Sequence, residues 1–221
     1  MNSEFHIFTG HFGSGKTEVA LNFAKKKAKE GKKVTIVDID IVNPYFRTAD
    51  ARAVLEKYGI KLIASEFANS NLDMPTVAPE VMSTFCEPDS VIIFDVGGDD
   101  DGAYALGQYN RFLTKEDYKM YFVVNTKRPM TKTAEELVLM ANVIEYASRL
   151  KFTGIVNNTN LGCMTDEDTL LSDYAEIEKL SQTTGIPVVM QSGLDRALKN
   201  LPENLKAMAF EMEITINMPW Q

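Results

Sequence analysis

The segment that most restricts what this chain can become is Gly10-His-Phe-Gly-Ser-Gly-Lys-Thr17, a G-x-x-x-x-G-K-T spacing. It follows an apolar run, Phe5 to Thr9, and precedes an amphipathic stretch, Glu18 to Lys29, so it sits where a strand turns into a helix. Gly10, Gly13 and Gly15, with Ser14 between the last two, let the backbone turn its N–H groups inward. The new helix presents its positive end to the same point. Such a turn is a cradle for phosphate oxygens: Lys16 reaches the β- and γ-phosphates of a nucleoside triphosphate, and Thr17 offers a hydroxyl for Mg²⁺.

The remaining pattern supplies the sheet that this turn needs. Apolar runs at Phe5 to Thr9, Lys33 to Asp38, Lys61 to Ala64, Ser90 to Asp95, Met120 to Asn125, Thr153 to Asn157 and Pro187 to Met190 read as strands. Several are apolar on consecutive positions, as in VIIF at 91 to 94, which implies burial on both faces. Helices are expected between them, one over 131 to 150 with apolar residues at helical spacing and one over Glu167 to Thr184 closed by Gly185. The expected fold is α/β, a three-layer, doubly wound, mostly parallel sheet of the P-loop NTPase kind, in one domain over residues 1–221. The tail alternates Met212, Ile214, Ile216 and Met218, which suits an added edge strand or an interface element.

Phosphate-loop sites need a carboxylate at the end of a neighbouring strand to hold the metal's water shell. Asp95 ends the VIIF strand and begins a D-x-x-G pattern in which the Gly98 N–H can meet a γ-phosphate. The strand KKVTIVDID brings Asp38 and Asp40 to the same carboxyl edge of the sheet, on one side of the chain. Either can help retain Mg²⁺, and Asp40 can orient an attacking water. The triplet Asp99, Asp100 and Asp101 reads as a solvated or helix-capping cluster.

A net charge of −8 argues against nucleic acid and anionic lipid as partners. The lysines at 25, 26, 27, 29, 32 and 33 end a helix and read as its solvated face. Cys86 and Cys163 stand apart without ligand-spaced companions, so neither a metal cluster nor a disulfide is expected. No run is apolar enough to span a membrane and the first residues lack a signal-peptide pattern, which together point to the cytoplasm.

On these loops the chain resembles the ParA/MinD family of P-loop ATPases, in the wider SIMIBI group with the nitrogenase iron protein and the CobB- and dethiobiotin-synthetase-like enzymes. VDIDIVNP is similar to the family's D-x-D-like switch, with Asp40 at the water-orienting position, and Asp95 and Gly98 match Walker B and the second switch. VVNTKRPMT resembles the family's V-x-x-x-x-P-x-T stretch, and IVNNTN its adenine-contacting loop, so the resemblance implies a base contact at Asn157 or Asn158. The family's additional lysine after the first loop glycine is His11 here. Membrane-targeting relatives end in a basic amphipathic helix, unlike this acidic, methionine-rich tail.

ATP is expected over GTP, because neither NTKR at 125 to 128 nor NNTN at 157 to 160 is an N-K-x-D signature. The expected function is a Mg-ATP-dependent switch with slow hydrolysis. It acts on a protein partner or on its own nucleotide-dependent dimerisation, and it alternates between ATP and ADP. One alternative is a small-molecule kinase or ATP-dependent ligase of the dethiobiotin-synthetase type, with an acceptor pocket drawn from Asn43, Tyr45, Arg47 and residues 97–104. Another is a non-catalytic ATP/ADP sensor.

Overall fold

The computed structural model describes residues 3–39, 49–64, 79–98 and 100–215. Among these residues eight strands form one sheet: β1 (Glu4–Thr9), β2 (Lys33–Ile39), β3 (Lys61–Ala64), β4 (Ser90–Val96), β5 (Tyr118–Val124), β6 (Gly154–Asn157), β7 (Val188–Gly193) and β8 (Ala209–Glu211). Their order is β3-β2-β4-β1-β5-β6-β7-β8, and every neighbouring pair is parallel. The helices are α1 (Lys16–Lys29), α2 (Ala49–Lys57), α3 (Pro79–Thr84), α4 (Asp100–Gly107), α5 (Asn110–Leu113), α6 (Ala134–Ser148), α7 (Glu167–Leu171), α8 (Tyr174–Thr184), α9 (Asp195–Leu198) and α10 (Glu203–Lys206).

Strand alternation divides the core into two slabs. Phe5, Ile7, Val37, Ile92, Phe94, Phe122 and Val124 face α4, α6 and α8 through Leu106, Leu137, Ile144, Ile177 and Leu180. Phe8, Val34, Ile36, Ile93 and Val123 face α1 and α2 through Val19, Leu21, Phe23 and Leu55. By the same alternation Asp38 and Asp95 continue the rows that face α1. This is the doubly wound, P-loop NTPase-like α/β fold expected from the sequence. α6 starts on a full capping box, Thr133 and Glu136 each satisfying the other's backbone N–H.

Three expectations change. The single helix over 167 to 184 is two, α7 and α8, because the Asp173 carboxylate between them accepts from Thr126 Oγ1 at 2.9 Å and Lys127 Nζ at 2.8 Å. That tie to the loop after β5 breaks the helical run, and Leu170 packs instead with Ala197, Leu201 and Leu205. The edge strand is Ala209–Glu211, Met212 N still donates to Gly193 O of β7 at 2.8 Å, and the chain then follows α1 through Glu213 and Thr215; residues 216–221, Ile216 and Met218 among them, lie outside the described structure. Asn22 Nδ2 donates to Glu213 O at 3.0 Å, Glu213 N donates back to Asn22 Oδ1 at 2.9 Å, and Thr215 N donates to Glu18 Oε1 at 2.7 Å. In consequence Lys25, expected on a solvated face, is buried and paired with Glu213 at 2.7 Å.

His6 points into the α1 slab, its ring 4.6 Å from that of Phe23 and 5.9 Å from that of Tyr121. Burial lowers its pKa to about 4, outweighing the raising influence of Glu4. The folded state therefore binds this proton more weakly than the unfolded state, so the contribution is complete above the ordinary histidine value and shrinks as pH falls toward the folded value. Between about pH 7.5 and pH 5 the loss expected from His6 is about 2 kcal/mol. Urea unfolding at both pH values should show it, and His6→Phe should remove most of the difference from the wild-type chain.

Candidate nucleotide site

The loop between β1 and α1 lies at the carboxyl edge of the sheet, where open α/β folds hold their ligands. Gly13 and Gly15 take φ of 77° and 84°, left-handed values that favour glycine. Gly10 is set by close approach, since a Cβ there would lie 2.2 Å from the Val123 carbonyl oxygen on β5. Ser14 N closes the turn onto His11 O at 3.0 Å, and α1 begins at Lys16. Lys16 and Ser14 are buried, and Ser14 Oγ has no hydrogen-bond partner among the described residues. A buried hydroxyl without a partner inside a ring of glycines is a fit for a phosphate oxygen.

Thr17 Oγ1 donates to Asp95 Oδ2 at 2.7 Å, joining the first turn of α1 to the end of β4. Asp38 is in register beside Asp95 on β2, so two buried carboxylates and one hydroxyl converge below the loop. These are hard oxygen donors of the kind Mg²⁺ prefers. Gly98 completes the wall: a Cβ there would meet Gly10 O at 2.1 Å, so only glycine lets this turn lie against the loop backbone. His11 is held below its ordinary pKa by partial burial and then by the charge of Lys16, which keeps it neutral near pH 7.

The amides expected to face a base are engaged by protein groups. Asn157 donates to Gln191 Oε1 at 2.8 Å and Leu170 O at 3.2 Å, and its oxygen accepts from Thr159 N at 3.1 Å. Asn158 Nδ2 donates to Ser14 O at 2.7 Å, while its Oδ1 accepts from Ser192 Oγ at 3.0 Å. Asn158 therefore braces the phosphate loop from the side of β6 and β7. Asp40, Asn43, Tyr45, Arg47 and Asp99 lie outside the described residues. Asp100 and Asp101 are exposed in the first turn of α4, where carboxylates complement the helix dipole.

Two contacts here are invisible to local sequence reading. Ser192 belongs to β7 and carries no motif. Arg128, within the VVNTKRPMT stretch, donates from Nε to Gly13 O at 3.1 Å and clasps the outside of the loop. Beside that contact Phe12 and Met130 each leave 64% of their surface exposed.

No protein-family model matches the sequence, and no curated protein does. Solved structures do match. Cell division protein FtsY from Thermotoga maritima aligns at a TM-score of 0.61 and 20% identity over 89% of this chain and 64% of its own. FtsY from Mycoplasma mycoides aligns at 0.56 and 17% identity over 89% of this chain and 62% of its own. The chain thus spans less than two thirds of these two proteins. A nucleotide-binding protein from Archaeoglobus fulgidus, in complex with ADP and with cobalt found in it, aligns at 0.52 and 18% identity over 86% and 82%. At these identities the likeness establishes the fold, that of P-loop nucleotide-binding proteins.

Replacing Gly98 with Ala should displace the loop backbone and weaken nucleotide binding by about tenfold or more, roughly 1.4 kcal/mol, in a titration with a fluorescent nucleotide. An unchanged affinity would mean that the turn and the loop are not one site.

Proposed function

We propose that this chain is a Mg-dependent ATP-binding switch of the ParA/MinD type, a slow ATPase whose bound nucleotide governs the docking of a protein partner. The observation that carries the reading is the buried Thr17 to Asp95 hydrogen bond with Asp38 in register beside it, directly under the glycine loop. Lys16 and the loop amides hold the β- and γ-phosphates and stabilise the charge that develops as the phosphoryl group leaves. Thr17, Asp95 and Asp38 are the donors that would hold Mg²⁺, which when bound neutralises phosphate charge. Asp40 is assigned to orienting the attacking water, and the Gly98 N–H to sensing the γ-phosphate.

ATP is the proposed nucleotide. No carboxylate follows Lys127 in its own loop, and the carboxylate that Lys127 does meet, Asp173, is already fixed by Thr126 and Lys127 together. Guanine reading needs a carboxylate directed at the base. The ADP held by the Archaeoglobus neighbour supports the same choice. Asn157 and Asn158 enter as positioning residues: Asn158 fixes Ser14, and Asn157 fixes the loop that carries Asn158.

The switch reading is favoured over a small-molecule kinase by Phe12 and Met130. Both are large, exposed and apolar, and both flank the Gly13 to Arg128 contact, so a shift of the loop on γ-phosphate loss changes the surface a partner meets. Nucleotide-dependent dimerisation through this face and a cytoplasmic setting belong to the same proposal.

With Mg-ATP in excess the wild-type chain should release phosphate over many turnovers. Lys16→Ala should lower the rate by about 100-fold while its circular dichroism and unfolding midpoint stay native. Full turnover in that variant would sink the assignment, and binding without turnover in the wild-type chain would leave a sensor in place of an ATPase.

A further inference from the structure

The outward face of α6 carries an apolar stripe that the nucleotide site does not use. Leu139, Val143 and Tyr146 follow one another at helical spacing and are 67%, 52% and 80% exposed. Only Asn142 interrupts them, and Glu145, the charged residue between Glu136 and Arg149, is turned to Lys151 Nζ and the Phe152 N–H. Alongside runs a groove of about 480 Å³ between α6 and α8, with Ala134, Val138 and Leu139 as its apolar wall and Glu135, Lys179, Gln182 and Thr183 as its polar rim. Single exposed apolar residues are ordinary, but a continuous stripe beside a groove is a docking surface.

The charges at the two ends of α6 select the occupant. Glu135 and Glu136 open the helix after Lys132, and the exposed Arg149 follows its end, with Lys151 beyond it paired to Glu145 at 2.5 Å, so Arg149 is the cation that meets the acidic start. A second copy laid antiparallel places the acidic start of each α6 on the basic finish of the other, at both ends at once, and sets the two helix dipoles in opposition. A parallel copy would set like on like. We propose that this face is a two-fold interface between two copies of this chain, formed independently of nucleotide.

The register follows from the stripe. Pairing the acidic start with the basic finish centres the two-fold axis between Asn142 and Val143, so Tyr146 of each copy lies over Leu139 of the other. There its ring covers the groove and its hydroxyl meets the Gln182 and Thr183 rim. A single helix pair buries less than the roughly 800 Å² per partner of a standard interface, so the α8 wall adds to it and the dimer should be concentration-dependent. The interface lies on the sheet face opposite α1, which leaves both nucleotide loops open and makes the pair bivalent toward any partner docking at Phe12 and Met130.

The test is sedimentation of the full chain between about 1 and 200 µM, with and without Mg-ADP, joined to cysteine cross-linking after both exposed cysteines, Cys86 and Cys163, are changed to Ser. Wild type should pass from monomer to dimer equally with and without nucleotide, and Tyr146→Glu should stay monomeric with its ATP turnover unchanged. Val143→Cys should form a disulfide dimer by itself, being next to the axis. Leu139→Cys should not, yet it should cross-link when mixed with Tyr146→Cys. A wild-type chain that remains monomeric throughout, a dimer that survives Tyr146→Glu, or self-linking of Leu139→Cys would overturn the proposal.

Discussion

The hydrogen bond from Thr17 to Asp95 joins two elements far apart in sequence, the first turn of α1 and the carboxyl end of β4. Its position depends on the alternation of β2 and β4, which places Asp38 and Asp95 on the face where α1 packs. The apolar residues that precede them on the same rows, Val34 and Ile36 on β2 and Val91 and Ile93 on β4, hold α1 against the sheet. Burying that slab and aligning Thr17, Asp38 and Asp95 under the glycine loop are thus one physical event. A slip of one residue in either strand would turn its carboxylate to the opposite face and separate it from Thr17.

Local spacing made much of this legible. The glycines of the loop, Lys16 and Thr17 are read from eight consecutive residues, because a strand-to-helix turn around an anion imposes its demands locally. The strands were legible because burial on both faces leaves consecutive apolar residues. The contacts that brace the loop were not, since Arg128 reaches Gly13 across 115 positions and Asn158 reaches Ser14 across 144. Asn158 drew notice through its neighbours in IVNNTN, yet nothing in that stretch tells that its amide meets the loop rather than a ligand.

The same distinction accounts for the helix that is two helices and the lysine that is not solvated. Residues 167–184 carry a helical pattern, and the break at Asp173 comes from Thr126 and Lys127 on another loop. Lys25 has the composition of a surface lysine, and it is buried because the chain after β8 returns along α1, with Asn22 pairing both ways with Glu213. Tertiary hydrogen bonds overrode local preference in both places, and both are tied to elements that border the nucleotide loop.

The proposed function requires that the loop, Asp38, Asp95 and Gly98 form one nucleotide site with adenine selectivity. Calorimetric titration of the wild-type chain with non-hydrolysable ATP and GTP analogues in Mg²⁺ tests that claim most directly. One site per chain is expected, with at least about tenfold tighter binding of the ATP analogue, about 1.4 kcal/mol. Absence of binding by either analogue, or preference for the GTP analogue, would contradict the proposed function.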